Sequence, residues 1–202
     1  VGTGSATTVG HGLSSAPEMV VVKSRDAAEN WVVFHTGISS GQGYIKLNLT
    51  DAATTGSSRR FRFGNDSDGV LPDSTKVYIG SGSEVNTSGN DYIAYCFHSV
   101  TGYSKIGTYT GNGNATGPSV TTGFRPGFVM MKRTDDVSNW VIVDSVREAS
   151  SSDEALFANL NQGQETGYNV DFSDTGFQLK SSEGDFNTNN ANYIYMAFAD
   201  KR

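Results

Sequence analysis

The chain has 202 residues and a net charge of −6; Gly, Ser, Thr and Asn supply about two residues in five, yet aromatics reach 11%. That mixture excludes a helical bundle and a disordered polar chain, and points to short strands joined by tight turns. The acidic balance excludes the clustered Lys and Arg field of a nucleic-acid binder, and no apolar run approaches the roughly 18 residues of a membrane helix, so neither nucleic acid nor membrane insertion is expected.

In chain order, no charged-then-apolar signal segment precedes the first motif, and a chain starting at Val1 reads as a processed or fragment boundary. Gly10-His11-Gly12 is a turn, within a block Val9 to Leu13 that aligns with Val120 to Phe124. Pro17-Glu18-Met19-Val20-Val21-Val22-Lys23, an apolar run after Pro and ending in Lys, reads as a buried strand leaving the core. Asn30-Trp31-Val32-Val33-Phe34 follows after a polar stretch, a hairpin signal. Tyr44 to Asn48, Arg60 to Phe63 and Lys76 to Gly80 give further strands, and Arg59-Arg60-x-Arg62 reads as a solvated basic edge. Tyr92 to Phe97 is an aromatic strand that makes the one cysteine, Cys96, a buried inert thiol. The join Ser99 to Thr110 places Tyr103, Ile106 and Tyr109 as strand or packed-loop residues.

The same signals then return. Pro126-Gly127-Phe128-Val129-Met130-Met131-Lys132 and Asn139-Trp140-Val141-Ile142-Val143 follow their counterparts by 109 residues. Asn187-Thr188 and Tyr193 to Phe198 follow Asn86-Thr87 and Tyr92 to Phe97 by 101. The first copy therefore carries about eight extra residues, placed at Thr50 to Ser58 or Gly64 to Ser74. Lys132-Arg133 reads as a second solvated basic pair. Leu156 to Leu160, Val170 to Phe172 and Gly176 to Lys180 complete the strands. Ser151 to Ala158 is the one stretch where Asp and Glu could open a helical turn. The expected fold is all-β: two tandem antiparallel β-sandwich repeats of jelly-roll or lectin-like kind, residues 1–104 and 105–202, packed together. Fusion into one large sandwich stays open; two are favoured because each copy has its own strands.

Chemistry is sparse. His11, His35 and His98 align with Thr122, Asp144 and Ala199 in the second copy, so they read as turn and strand-end residues. No G-x-S-x-G elbow occurs. The carboxylate pairs Asp171 with Asp174 and Glu183 with Asp185 lie in polar turns rather than marking a hydrolase cleft, so no enzyme and no catalytic residue is expected. Asn65-Asp66-Ser67-Asp68-Gly69 has the alternating oxygens of a calcium loop, with Asp66 and Asp68 as ligands, but lacks the later bidentate Glu; an Asx turn is the expected reading and no cofactor is assigned. Sequons at Asn48, Asn86 and Asn114 arise readily in so Ser- and Thr-rich a chain, and Gly111-Asn112-Gly113 lacks the helix a phosphate loop needs. Asn65, Asp66, Asp68, Asn112 and Asn114 are the loop-tip residues expected to make shallow contacts with a sugar or protein. Trp31 and Trp140, repeated at the head of the same strand, read as core or inter-sheet anchors.

The blocks GHGLSSAPEMVVVKSRDAAENWVVFH, YIAYCFHSVTGYSKIGTYTGNG, TGFRPGFVMMKRTDDVSNWVIVD and YIYMAFADKR resemble the duplicated β domain of unknown function found in tail-fibre and other structural proteins of tailed phages, notably marine and cyanobacterial ones. The resemblance spans nearly the whole chain. In the first copy Gly2-Thr3-Gly4 stands without the preceding Tyr, as expected of a piece cut from something longer. The family often neighbours concanavalin-like lectin domains, and it brings no catalytic residues to carry over. The resemblance implies a non-enzymatic virion protein, a tail-fibre or appendage domain recognising a host-surface glycan or protein through weak, repeated contacts. Its partners would be other virion proteins and further copies of itself, fibres being usually trimeric. The alternatives are a capsid or baseplate cement protein and a carbohydrate-active enzyme.

Overall fold

The computed structural model describes residues 1–56, 62–147 and 154–200. It is an all-β sandwich fold, 40% strand and 6% helix, with antiparallel sheets. Among the described residues no helix is long and apolar enough to cross a membrane. The chain divides into two compact units, Val1–Asn48 with Ala53–His98, and Leu49–Ala52 with Ser99–Arg202.

The first unit contains β1 (Thr7–Gly10), β2 (Met19–Ser24), β3 (Val32–His35), a 3₁₀ turn (Ser39–Gly41), β4 (Gly43–Lys46), β5 (Thr54–Thr55), β6 (Lys76–Ile79), the one-turn helix α1 (Ser83–Asn86) and β7 (Tyr92–Phe97). Its large sheet has the order β5-β4-β3-β2-β7, and β1 pairs with β6 in a small one. Val20, Val22, Val32, Phe34 and Tyr44 from the large sheet meet Phe63, Val77, Ile79 and Val85 from the small sheet, its flanking loop and α1 to form the core. The β-branched runs in β2 and β3 suit a pleated surface. They are buried on both faces, since the alternate residues Met19, Val21 and Val33 are also almost wholly covered. Each such side chain contributes about 1.5–3 kcal/mol on leaving water.

The second unit contains β8 (Ser104–Thr110), β9 (Ser119–Thr121), β10 (Pro126–Arg133), β11 (Trp140–Asp144), β12 (Glu154–Phe157), β13 (Glu165–Thr166), β14 (Val170–Ser173), β15 (Gly176–Leu179), the one-turn helix α2 (Gly184–Asn187) and β16 (Asn192–Ala199). Its large sheet runs β13-β12-β11-β10-β16-β8 and its small one β14-β15-β9. The pairings follow the same succession as in the first unit, down to register: Val22 faces Ala94 across β2 and β7, and Met131 faces Tyr195 across β10 and β16. Among the described residues the second unit adds β8 outside β16; where it has β14 beside β15, the first unit has Gly64 N donating to Tyr78 O and Gly80 N to Arg62 O beside β6.

Several expectations need correction. The helical turn offered for 151–158 is not there: Glu154–Phe157 is a strand with alternate residues buried, the period-2 pattern of a half-covered sheet, and 151–153 lie outside the described residues. The helices are instead α1 and α2, too short for a helical period to show in the sequence. Lys132-Arg133 is no solvated pair: β10 runs on to Arg133 and Lys132 is completely buried. Of the basic cluster, Arg59 and Arg60 lie outside the described residues, and Arg62 is no solvated edge, since it bonds Glu84 and lies over the Tyr44 ring. The strand placed at Arg60 to Phe63 likewise falls partly outside them, with Arg62 and Phe63 in turn and bend. The two Trp residues also part company. Trp140 begins β11 and is buried, whereas Trp31 precedes β3 and is only half-buried.

Candidate binding site

The loop residues singled out from the sequence fall into two turns, one in each unit, and the Asn side chains of both bond within their own turn. Asn65 Oδ1 accepts from the backbone N–H of Ser67 at 3.1 Å and of Asp68 at 2.5 Å, an Asx turn. Asp66 stands at φ 65°, which Asp tolerates better than most residues, and its Oδ1 accepts from Ser81 N at 2.7 Å. Asp68 is exposed. Among the described residues no group of three or more His, Cys, Asp or Glu is placed to hold a metal ion. In the other turn Asn112 Nδ2 donates to Thr116 O and Asn112 Oδ1 accepts from Asn114 N, while Asn114 Nδ2 donates back to Asn112 O.

What the sequence reading passed over is a pair of buried amides. Asn187 is wholly covered; its Oδ1 accepts from Asn112 N, and its Nδ2 donates to Asn114 O and Ser181 O, all at 2.8–2.9 Å. Asn86 does the same for the first unit, bonding Thr3 N, Ser5 O and Gly80 O. One amide thus ties a short helix to the turn entering its own unit. Asn86 is 2% exposed, so the sequon there is not displayed. The signal was present in the repeated Asn-Thr, but Asn in a polar chain also reads as a turn former.

Two carboxylates serve the same scaffold. Asp185 accepts from Asn139 N and Nδ2, Ser138 Oγ and Tyr168 Oη. Burial would raise its pKa, but these donors outweigh it and hold the carboxyl below the ordinary value. Glu84 is likewise raised by burial and pulled further down by Asn30, Arg62 and Lys46. Burial lowers the Lys132 ammonium to about 8 against the opposing charge of Asp185. Lys132 Nζ donates to Arg133 O at 2.7 Å and Thr50 O at 3.3 Å. Of the proposed carboxylate pairs, Asp185 points into this network while Glu183 accepts from Gly184 N at the start of α2, and Asp171 pairs with Lys180 at 3.3 Å. His11 accepts from Leu13 N through Nδ1, which leaves Nε2 to donate to Asp73 O at 3.0 Å. His35 ends β3, buried, and accepts from Gly37 N.

The hollow in the first unit is of another kind. It has a volume of about 250 Å³ and is lined mostly by apolar side chains, among them Val22, Val77, Val85, Tyr92, Ala94 and Cys96. It opens beside β7, the last strand of its sheet among the described residues. Ile93 is 38% and Tyr95 42% exposed on that strand, and the half-buried Trp31 stacks on Tyr95 with centroids 6.4 Å apart and planes 19° from parallel. Cys96 is thus no closed-in core thiol but a half-buried one on the cavity wall, its pKa raised by burial. The arrangement can bind: an aromatic shelf, a strand edge and an apolar recess adjoin.

Comparison with curated proteins finds no match, and neither does comparison with solved structures. A family model described as "Domain of unknown function (DUF7483)" matches residues 1–202, the entire chain. The protein is therefore a member of the DUF7483 family.

Proposed function

We propose that this chain is a non-enzymatic structural module of a phage virion appendage that touches host-surface glycans. The observation that carries the reading is the shelf formed by Trp31 and Tyr95. Two nearly parallel rings, the outer one exposed, offer the flat apolar area on which a sugar ring can lie. The buried ionisable groups, by contrast, are engaged in holding the scaffold. The motif resemblance to tail-fibre domains supports the virion setting. A single shallow shelf binds weakly, so copies of the chain would act together to hold a surface. Displayed in many copies on beads, the wild-type protein should bind some members of a glycan array, and Tyr95→Ala should lose at least tenfold of that signal. Equal binding by both, or none by either alongside firm attachment to capsids, would sink the glycan reading in favour of a cement protein.

A further inference from the structure

The two units differ at one place in a way that assigns a ligand, independently of the glycan reading. In the second unit β16 has β8 on its outer side, with Tyr193 opposite Tyr109 and Tyr195 opposite Gly107. Tyr109 plugs the core from this edge strand. Its ring stacks on Tyr193 at 4.8 Å and meets Phe177 and Tyr195, and its hydroxyl donates to Phe186 O at 2.8 Å and lies 3.1 Å from Met131 Sδ. By register, the counterparts of Met131, Phe177, Phe186, Tyr193 and Tyr195 in the first unit are Val22, Val77, Val85, Tyr92 and Ala94. All five line the 250 Å³ cavity. The cavity is the Tyr109 socket without its tyrosine, enlarged because four of the five walls carry smaller side chains. About 150 Å³ of apolar space already accommodates a benzene ring.

The strand beside the socket is open in the matching way. Tyr193, Ile194, Tyr195 and Met196 are at most 8% exposed beside β8, whereas Ile93 and Tyr95 of β7 are 38% and 42% exposed. Arg25 N donates to Asp91 O and Glu18 N to Phe97 O. By the alternation of an antiparallel ladder, the odd residues of β7 therefore turn their backbone groups to β2, and Tyr92, Ala94 and Cys96 turn theirs outward. We propose that β7 and this socket form a receptor for an antiparallel β-strand of the Ser104–Tyr109 type, supplied by a polypeptide segment from outside residues 1–202, with an aromatic side chain opposite Tyr92 entering the cavity. Strand addition of this kind draws affinity from main-chain hydrogen bonds and selectivity from the side-chain pocket. The pocket also sets a second preference. In the second unit a Cβ on Gly107 would lie 2.7–2.8 Å from the hydroxyl end of the Tyr195 side chain, so glycine is favoured there. Opposite Ala94 that obstruction is gone, and a β-branched residue fits.

The test uses the full chain and a synthetic Ser-Lys-Ile-Gly-Thr-Tyr peptide, with Cys96 on the cavity wall as reporter. Saturating peptide should slow Cys96 alkylation at least tenfold and slow amide exchange at Tyr92, Ala94 and Cys96. The peptide with its tyrosine replaced by Ala should need at least tenfold higher concentration, and one with its glycine replaced by Val should bind as well or better. Ala94→Trp, verified as folded by circular dichroism, should remove the protection. Unchanged alkylation at millimolar peptide, or equal potency of the Tyr and Ala peptides, would overturn the proposal. So would protection that grows with protein concentration alone, since a second copy would then fill the edge, and so would a strict demand for Gly opposite Ala94.

Discussion

Asn187 shows how much one uncharged side chain can organise. Itself without solvent access, it satisfies one backbone N–H and two backbone carbonyls, and the groups it serves belong to segments far apart in sequence. Removing it takes a partner from the half-buried Asn112 N–H and Ser181 carbonyl, which costs more than the bonds contribute net. Asn187→Ala should destabilise the protein by about 3 kcal/mol in urea unfolding. Asn187→Asp, which keeps the acceptor and loses both donors, should be hardly better. Its neighbour Gly111 explains why the turn is glycine: a Cβ there would lie 2.2 Å from Thr188 O, just as one on Gly2 would lie 2.1 Å from Thr87 O.

The pairing of β8 with β16 carries the clearest steric constraint between strands. Gly107→Ala should destabilise the fold by about 1–3 kcal/mol through overpacking against Tyr195. Combining it with Tyr195→Ala should cost less than the sum of the single changes, a coupling of about 1 kcal/mol read from a double-mutant cycle. The elements themselves were largely legible in the sequence, because β-branched and aromatic runs bounded by Gly, Asn and Ser leave few alternatives to strands. The two one-turn helices were not, since four residues carry no helical period. The Trp residues divided for a reason no local pattern holds: identical Asn-Trp-Val motifs place one ring on an exposed neighbour, Tyr95, and bury the other.

Stability of the entire chain should respond to pH at both ends of the scale. Folded Asp185 and Glu84 ionise below the ordinary 3.8 and 4.5, so the stability they contribute is complete above those values and drains away as acid titrates them. Lys132 works in the other direction. Unfolded it keeps its proton to 10.5, folded only to about 8, so between these values the unfolded chain binds the extra proton and stability rises with pH. Urea midpoints followed from pH 7.5 to 10 should show this rise, and Lys132→Met should flatten it. The candidate site was the least legible part. Asn65, Asp66, Asp68, Asn112 and Asn114 were chosen for being polar and turn-forming, and those same traits let the three Asn side chains bond the backbone of their own turns. The recess at β7 could be read only from the register of strands distant in sequence.

The place of the first residues has a practical consequence. Gly2 N donates to Asn90 O and Val1 lines the recess, so whatever is spliced ahead of residue 1 is delivered straight to the uncovered flank of β7. A purification tag at that end would sit where a ligand is sought and mask it.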